Sequence, residues 1–293
     1  MNIARARQLQ ITGPDRKTCY GGDQLWFSSN TKAAGGCGSV AGANALRSLA
    51  LTNREFRKAV LSSKKLPPQL KDALCSYKPD HENFPLLMTG VYETMGSMEV
   101  FPLNLIYDRK DRSSGFFSKV KSTFGLTNIG YIVGIIRFCR KFSIDISARY
   151  LNAAFLSKEE ARQFIKEGLK KSGAVVLLTC LNRHNIRMFS GDADLNSKLI
   201  DGKDTPVKSH FVTITDIDTD RLLVTTWGKP GVIDLNELAG SWQSIKAYEA
   251  SLIYIEPSTK KEANNAMLGA FRLFAAGIGH ALTRHGAVLK KES

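Results

Sequence analysis

From Gly38 to Leu46 the chain reads Gly-Ser-Val-Ala-Gly-Ala-Asn-Ala-Leu, with no charged side chain until Arg47. A helix that is apolar all round must be buried all round, so this run predicts an enclosed helix ending near Leu51. Leu25-Trp26-Phe27 precedes it as a short apolar stretch, and Ser28-Ser29-Asn30-Thr31 leads on to the glycine turn at Gly35-Gly36. From 52 to 171 the pattern is mostly helical. Phe56, Val60 and Leu61 fall at helix spacing, Pro67-Pro68 interrupts, and further helices are expected from Pro85 to Met98 and from Ile129 to Phe142. The amphipathic segment from Lys158 to Leu169 opens on Ser157 with Glu160 three residues later, the signature of a capping box. Residues 109 to 123 read as an exposed basic loop.

After Gly173 the period changes to two. Strands are expected at Ala174 to Leu178, His210 to Thr215, Leu222 to Thr225 and Ser251 to Ile255. Helices first and strands later predict an α+β fold rather than an alternating βαβ sheet. Residues 1–19, polar and turn-rich, read as an irregular arm; 20–257 read as one folded domain and 258–293 as a helical tail. In that tail Met267, Ala270, Phe271, Phe274, Ile278 and Leu282 make an apolar stripe. The stripe suits docking on the protein's own surface or on a second copy, and the flanking Lys260, Lys261, Lys290 and Lys291 suit a membrane surface.

Composition adds limits more than direction. With 293 residues, 43% of them hydrophobic, the chain can enclose a sizeable core. Its net charge of +14 favours acidic partners, but Lys and Arg alternate with Asp and Glu, and no zinc-finger, basic-zipper or RNA-recognition pattern accompanies them. The reading is a basic solvated surface without a dedicated nucleic-acid site. Five cysteines without a C-x-x-C pair indicate neither a disulfide framework nor structural zinc, and no metal or cofactor is expected. The acidic loop Asp192-Ala193-Asp194-Leu195-Asn196 fails as a calcium loop, since Ser197 stands where glycine is required and Lys203 where a bidentate Glu belongs. No apolar run reaches membrane-spanning length and Met1 to Gln8 lack a signal-peptide core, so the expected location is the cytoplasm.

The candidate chemistry starts at Cys37, the first residue of the apolar helix. Unpaired N–H groups and the positive end of the helix dipole stabilise a thiolate there, and the flanking glycines let a carbonyl approach the backbone. The competing reading is a packed thiol, the common state of a free cysteine. A thiol nucleophile needs a proton carrier, and of the five histidines only His210 opens an apolar strand.

These residues, Gly36-Cys37-Gly38 with Ala41 and Asn44-Ala45-Leu46, then Ser209-His210-Phe211-Val212 and Val224-Thr225-Thr226-Trp227-Gly228, resemble the papain-like cysteine peptidases, in particular their bacterial C39-like branch. The resemblance spans roughly 20–257 in short islands. It implies a papain-like fold, with a nucleophile helix packed on a C-terminal antiparallel sheet, and hydrolysis of a peptide or amide bond through a thioester. Cys37 would attack and His210 would carry the proton. Asn30 would help to hold the oxyanion where the family has a glutamine six residues before the cysteine; Thr31 stands at that spacing here and Gln24 lies further back. The register that fits Trp227-Gly228 to the family puts Thr225 where an Asn or Asp should orient the imidazole. Acyl or amide transfer on the same fold is one alternative, and a catalytically silent binding or scaffold protein is the other.

Overall fold

The computed structural model describes residues 9–28, 30–95, 128–179, 186–190, 205–207, 210–242, 250–269, 272 and 276, with the backbone alone at 30, 31, 34, 154, 186–190 and 205–207. A short hairpin, β1 (Gln10–Thr12) and β2 (Thr18–Tyr20), comes first. Five helices follow: α1 (Asn30–Gly35), α2 (Cys37–Thr52), α3 (Arg54–Ser62), α4 (Pro68–Cys75) and α5 (Asn83–Thr94). Then come α6 (Asn128–Lys141), β3 (Ile146–Asn152), α7 (Lys158–Ser172), β4 (Val175–Leu178), β5 (Ile186–Ser190) and β6 (Thr205–Val207). The chain goes on with β7 (Phe211–Asp218), β8 (Arg221–Thr226), β9 (Lys229–Asp234), α8 (Leu235–Ser241) and β10 (Ser251–Pro257).

Eight strands form one antiparallel sheet in the order β3-β10-β4-β7-β8-β9-β5-β6. Its two faces bury different layers. Phe211, Val176, Leu178, Ile253 and Ile255 join one core with α2 to α6, while Val212, Ile214, Leu177 and Val224 join a second with α7 and α8. The alternation along β4 and β7 is what divides them. The protein is therefore α+β, with helices on both faces of the sheet.

Helix α2 is the axis of the first layer. From Gly38 through Ala50 every residue is buried, including Arg47. Deep burial of a guanidinium is costly unless its donors are met. Here four backbone carbonyls meet the two terminal nitrogens: Nη1 donates to Ala73 at 3.0 Å and Ser76 at 2.8 Å, and Nη2 to Gln10 at 3.2 Å and Tyr77 at 2.9 Å, while Nε is buried with no hydrogen-bond partner among the described residues. Burial lowers the Arg47 pKa to about 10, against the pull of Asp72, and it stays protonated at neutral pH.

Three sequence expectations need correction. The stretch 1–19 is not wholly an irregular arm, because the Gly13-Pro14 turn closes the β1–β2 hairpin and Ile11 is part of the helical core. The middle section is mostly helical, as read, but an unexpected strand, β3, lies within it and pairs with β10 over its whole length. Nor does the folded unit stop at Pro257. A helical turn begins at 260 under a capping box of Thr259 and Glu262, and Ala263, Ala266 and Met267 pack on the first core. Arg140 of α6 holds this segment through the Lys260 carbonyl and Asn264. The described start of the tail thus docks on the protein itself; Phe271, Phe274, Ile278 and Leu282 lie outside the described residues, as do 109 to 123 and Asp192 to Lys203. Among the described residues no helix is long and apolar enough to cross a membrane, and no three His, Cys, Asp or Glu gather as a metal site.

Candidate functional site

Cys37 is the first residue of α2, after Gly36 as N-cap. Gly36 has ordinary helical backbone, φ −82° and ψ −8°, so its need for glycine is spatial. A Cβ there would sit 2.4 Å from the Phe27 ring and 2.6 Å from the Lys32 carbonyl oxygen. The entry to the helix is therefore packed tightly against the Gln24–Trp26 turn and α1. Cys37 is half-buried and in no disulfide. The other described thiols are disfavoured as thiolates: burial raises the pKa of Cys19, helped by Asp15 and Asp23, and burial raises Cys75 and Cys139.

Helix and sheet are aligned by two fixed points. Asn44 Nδ2 donates to Thr213 Oγ1 on β7 at 3.4 Å. Further along, Gly173, which ends α7 with φ +72°, lies against Ser48 and Thr52, and it leads into β4, whose Val175 pairs with Ile214. The C-terminal part of α2 thus lies by the Val175–Ile214 pair, and its start lies toward Leu178 and Phe211. Seven helical residues from Asn44 back to Cys37 rise about 10 Å, and three extended residues from Thr213 back to His210 span about 10 Å. The start of α2 and His210 therefore lie toward the same end of the sheet.

The His210 ring contacts the Thr226 hydroxyl, with Nε2 and Oγ1 2.8 Å apart, and it stacks on Trp227 with centroids 4.6 Å apart. Phe211, the next residue, belongs to the helical core and stacks on Tyr131 of α6, whereas Trp227 packs beside the opposite core. Strand alternation therefore turns the imidazole away from the α2 face. Backbone contacts hold it firmly: His210 N–H donates to Thr179 Oγ1 at 3.0 Å, and Thr179 N–H donates to the His210 carbonyl at 3.0 Å.

Burial lowers the His210 pKa to about 4. The ring is neutral at pH 7, so it supplies no standing positive charge to a neighbouring thiolate. In the tautomer whose Nε2–H donates to Thr226, the basic lone pair is on Nδ1.

The residue on the ring is not the expected one. Thr225 pairs with Thr213 in the β7–β8 ladder, and its hydroxyl donates to the Tyr20 carbonyl on the α2 side. Thr226, one residue on, faces the other way and meets the imidazole. The Asn30 backbone begins α1, but its side chain lies outside the described residues. Gln24 lies between Gly22, which is bonded to the Trp227-Gly228 turn, and Phe27, which packs on Gly36; its Oε1 is buried without a hydrogen-bond partner among the described residues. His81, in contrast, lies at the surface beside Asp80, 2.6 Å from Nδ1.

No protein-family model matches the chain, and no curated protein matches it.

Proposed function

We propose that the protein is a thiol-dependent hydrolase of peptide or amide bonds on a papain-like variant of its α+β fold, with Cys37 as nucleophile and His210 as base. The observation that carries this reading is the alignment of a half-buried helix-N-terminal thiol with a buried, neutral imidazole at one end of the sheet. Because His210 is neutral, the pair starts as thiol and imidazole rather than as an ion pair. Nδ1 takes the Cys37 proton as sulfur bonds to the carbonyl carbon, and the imidazolium then protonates the departing amine. Water, deprotonated by the same nitrogen, cleaves the thioester and restores the thiol. For the first step the ring must turn from Trp227 toward α2 until Nδ1 comes within about 3 Å of sulfur. Thr226 offers the imidazolium a neutral acceptor, weaker support than a carboxylate.

A simple acyl donor tests this without knowledge of the natural substrate. With p-nitrophenyl acetate we expect a burst of one equivalent of p-nitrophenol, an acetyl group mapped to Cys37, and slower acylation and deacylation in His210→Ala. Cys37→Ser should abolish the burst. Acylation of Cys37 no faster than that of Cys19 would overturn the assignment. A second reading, a catalytically silent binding protein, is favoured by one contact, the stacking of His210 on Trp227 away from the thiol; it gives no burst and no dependence on His210.

A further inference from the structure

Asn44 is fully buried in the middle of α2, where an uncompensated carboxamide would cost several kcal/mol. Its two ends bond to two other parts of the chain. Oδ1 accepts from the Gly22 N–H at 3.0 Å, and Nδ2 donates to Thr213 Oγ1 at 3.4 Å. Gly21, with φ +77°, lies directly over the carboxamide; a Cβ there would be 2.7 Å from Nδ2, so no larger residue lets the chain pass so close.

The segment that Asn44 grips also grips the hairpin turn at His210. The Gly228 N–H donates to the Gly22 carbonyl at 3.0 Å, the Tyr20 N–H donates to the Gly228 carbonyl at 2.9 Å, and Thr225 reaches the Tyr20 carbonyl through its hydroxyl. Trp227, between Thr226 and Gly228, carries the ring on which His210 stacks. Cys37, Ala41 and Asn44 share one face of α2 by their spacing of four and seven. One carboxamide thus joins the helix that starts at Cys37, the strand that follows His210 and the segment that holds Thr226 and Trp227 in place.

We propose that Asn44 is a positioning residue that sets the register between Cys37 and His210, an inference that rests on those two being the reacting pair. Removing the carboxamide leaves the thiol and the helix start in place, but frees the 20–22 segment and, with it, the turn that covers the imidazole.

The test compares wild type, Asn44→Ala and Thr213→Val, the last removing one hydroxyl with little change of shape. Three measurements are needed: iodoacetamide alkylation of Cys37, acylation by p-nitrophenyl acetate, and the His210 ring followed by long-range nitrogen–proton NMR across pH. Alkylation reads only the thiolate fraction of Cys37, which the helix start favours, and needs no proton for a leaving group; it should stay within about twofold. Acylation should fall at least tenfold in Asn44→Ala and less in Thr213→Val, while the His210 midpoint moves upward as the ring loses its cover. A purely structural asparagine would lower Tm and move neither the acylation-to-alkylation ratio nor the His210 midpoint; that result overturns the proposal. If Asn44→Ala does not fold, Thr213→Val decides by the same two readouts. Absence of acylation in wild type would refute the catalytic reading, and an unchanged His210 midpoint would then independently refute the positioning one.

Discussion

Replacing Arg47 by lysine tests how helix α2 is held. The guanidinium donates to the carbonyls of Gln10, Ala73, Ser76 and Tyr77 from two nitrogens, so it joins the N-terminal hairpin to the end of α4 and the turn after it. A lysine ammonium keeps the charge but has three donors at one point, and it cannot reproduce a planar fork. Two of the four carbonyls lose their donor. Each buried acceptor left unmade costs roughly 1–3 kcal/mol, so Arg47→Lys should lose about 2–6 kcal/mol. Arg47→Met, which strands all four, approaches the whole stability of a domain, about 5–15 kcal/mol. Urea denaturation followed by tryptophan fluorescence reads the first variant. Arg47→Met should be recovered only in inclusion bodies. The Gln10 contact also predicts faster amide exchange at Ile11 and Tyr20 in Arg47→Lys, since that hairpin leads into the segment gripped by Asn44. A loss below about 0.5 kcal/mol in Arg47→Lys would mean that water already serves these carbonyls, and the clamp would be refuted.

Two further perturbations bear on the site. His210 has its pKa lowered by burial from the usual 6.5 to about 4, so between those values the unfolded chain binds a proton that the folded one does not. Stability therefore falls as pH drops from about 6.5 to 4, by up to about 3 kcal/mol, and His210→Gln should flatten that part of a Tm–pH curve; an equal slope in both proteins would contradict the burial. Thr226→Val removes the acceptor on the imidazole and should reduce acylation of Cys37, whereas Thr225→Val loosens the tie to Tyr20 and should chiefly lower Tm, by about 1 kcal/mol in equivalent stability; the reverse ranking in a side-by-side assay would return the orienting role to Thr225.

Much of this arrangement was legible from periodicity. The uncharged run ahead of Arg47 marks α2, Ser157 with Glu160 forms the capping box that starts α7, and the alternating segments near Phe211 and Leu222 are central strands. β3 was hidden because both of its faces are largely buried, which erases the alternation: only Arg149 is exposed, while Tyr150 receives hydrogen bonds from Asn128 and Asn152. β9 was hidden by Pro230 and Gly231, which argue against a strand, although Pro230 lies opposite Thr225 in the ladder. The exchange of Thr225 for Thr226 depends on register. Pairing of Thr213 with Thr225, followed by a break between Ile214 and Asp216, fixes which threonine shares a face with His210. A one-residue choice of this kind exchanges the two faces completely, and no local pattern of side chains encodes it.

The polar residues of α2 explain why an almost uncharged helix can still hold one alignment. Apolar contacts are non-directional and tolerate sliding and rotation, so a helix of small side chains such as Ala41, Gly42, Ala43 and Ala45 would be poorly fixed by packing alone. Asn44 and Arg47 add directional contacts, and each acts on another segment's polar atoms: Asn44 on Gly22 and Thr213, Arg47 on Gln10, Ala73, Ser76 and Tyr77. They are three residues apart and so share a side of the helix. The N-terminal segment that lies over them, from Gln10 to Gly22, becomes the link between α2 and the β8–β9 turn. Residues 10–19, read from sequence as part of an irregular arm, form the hairpin that leads into Tyr20 to Gly22, and those residues tie α2 to the β8–β9 turn.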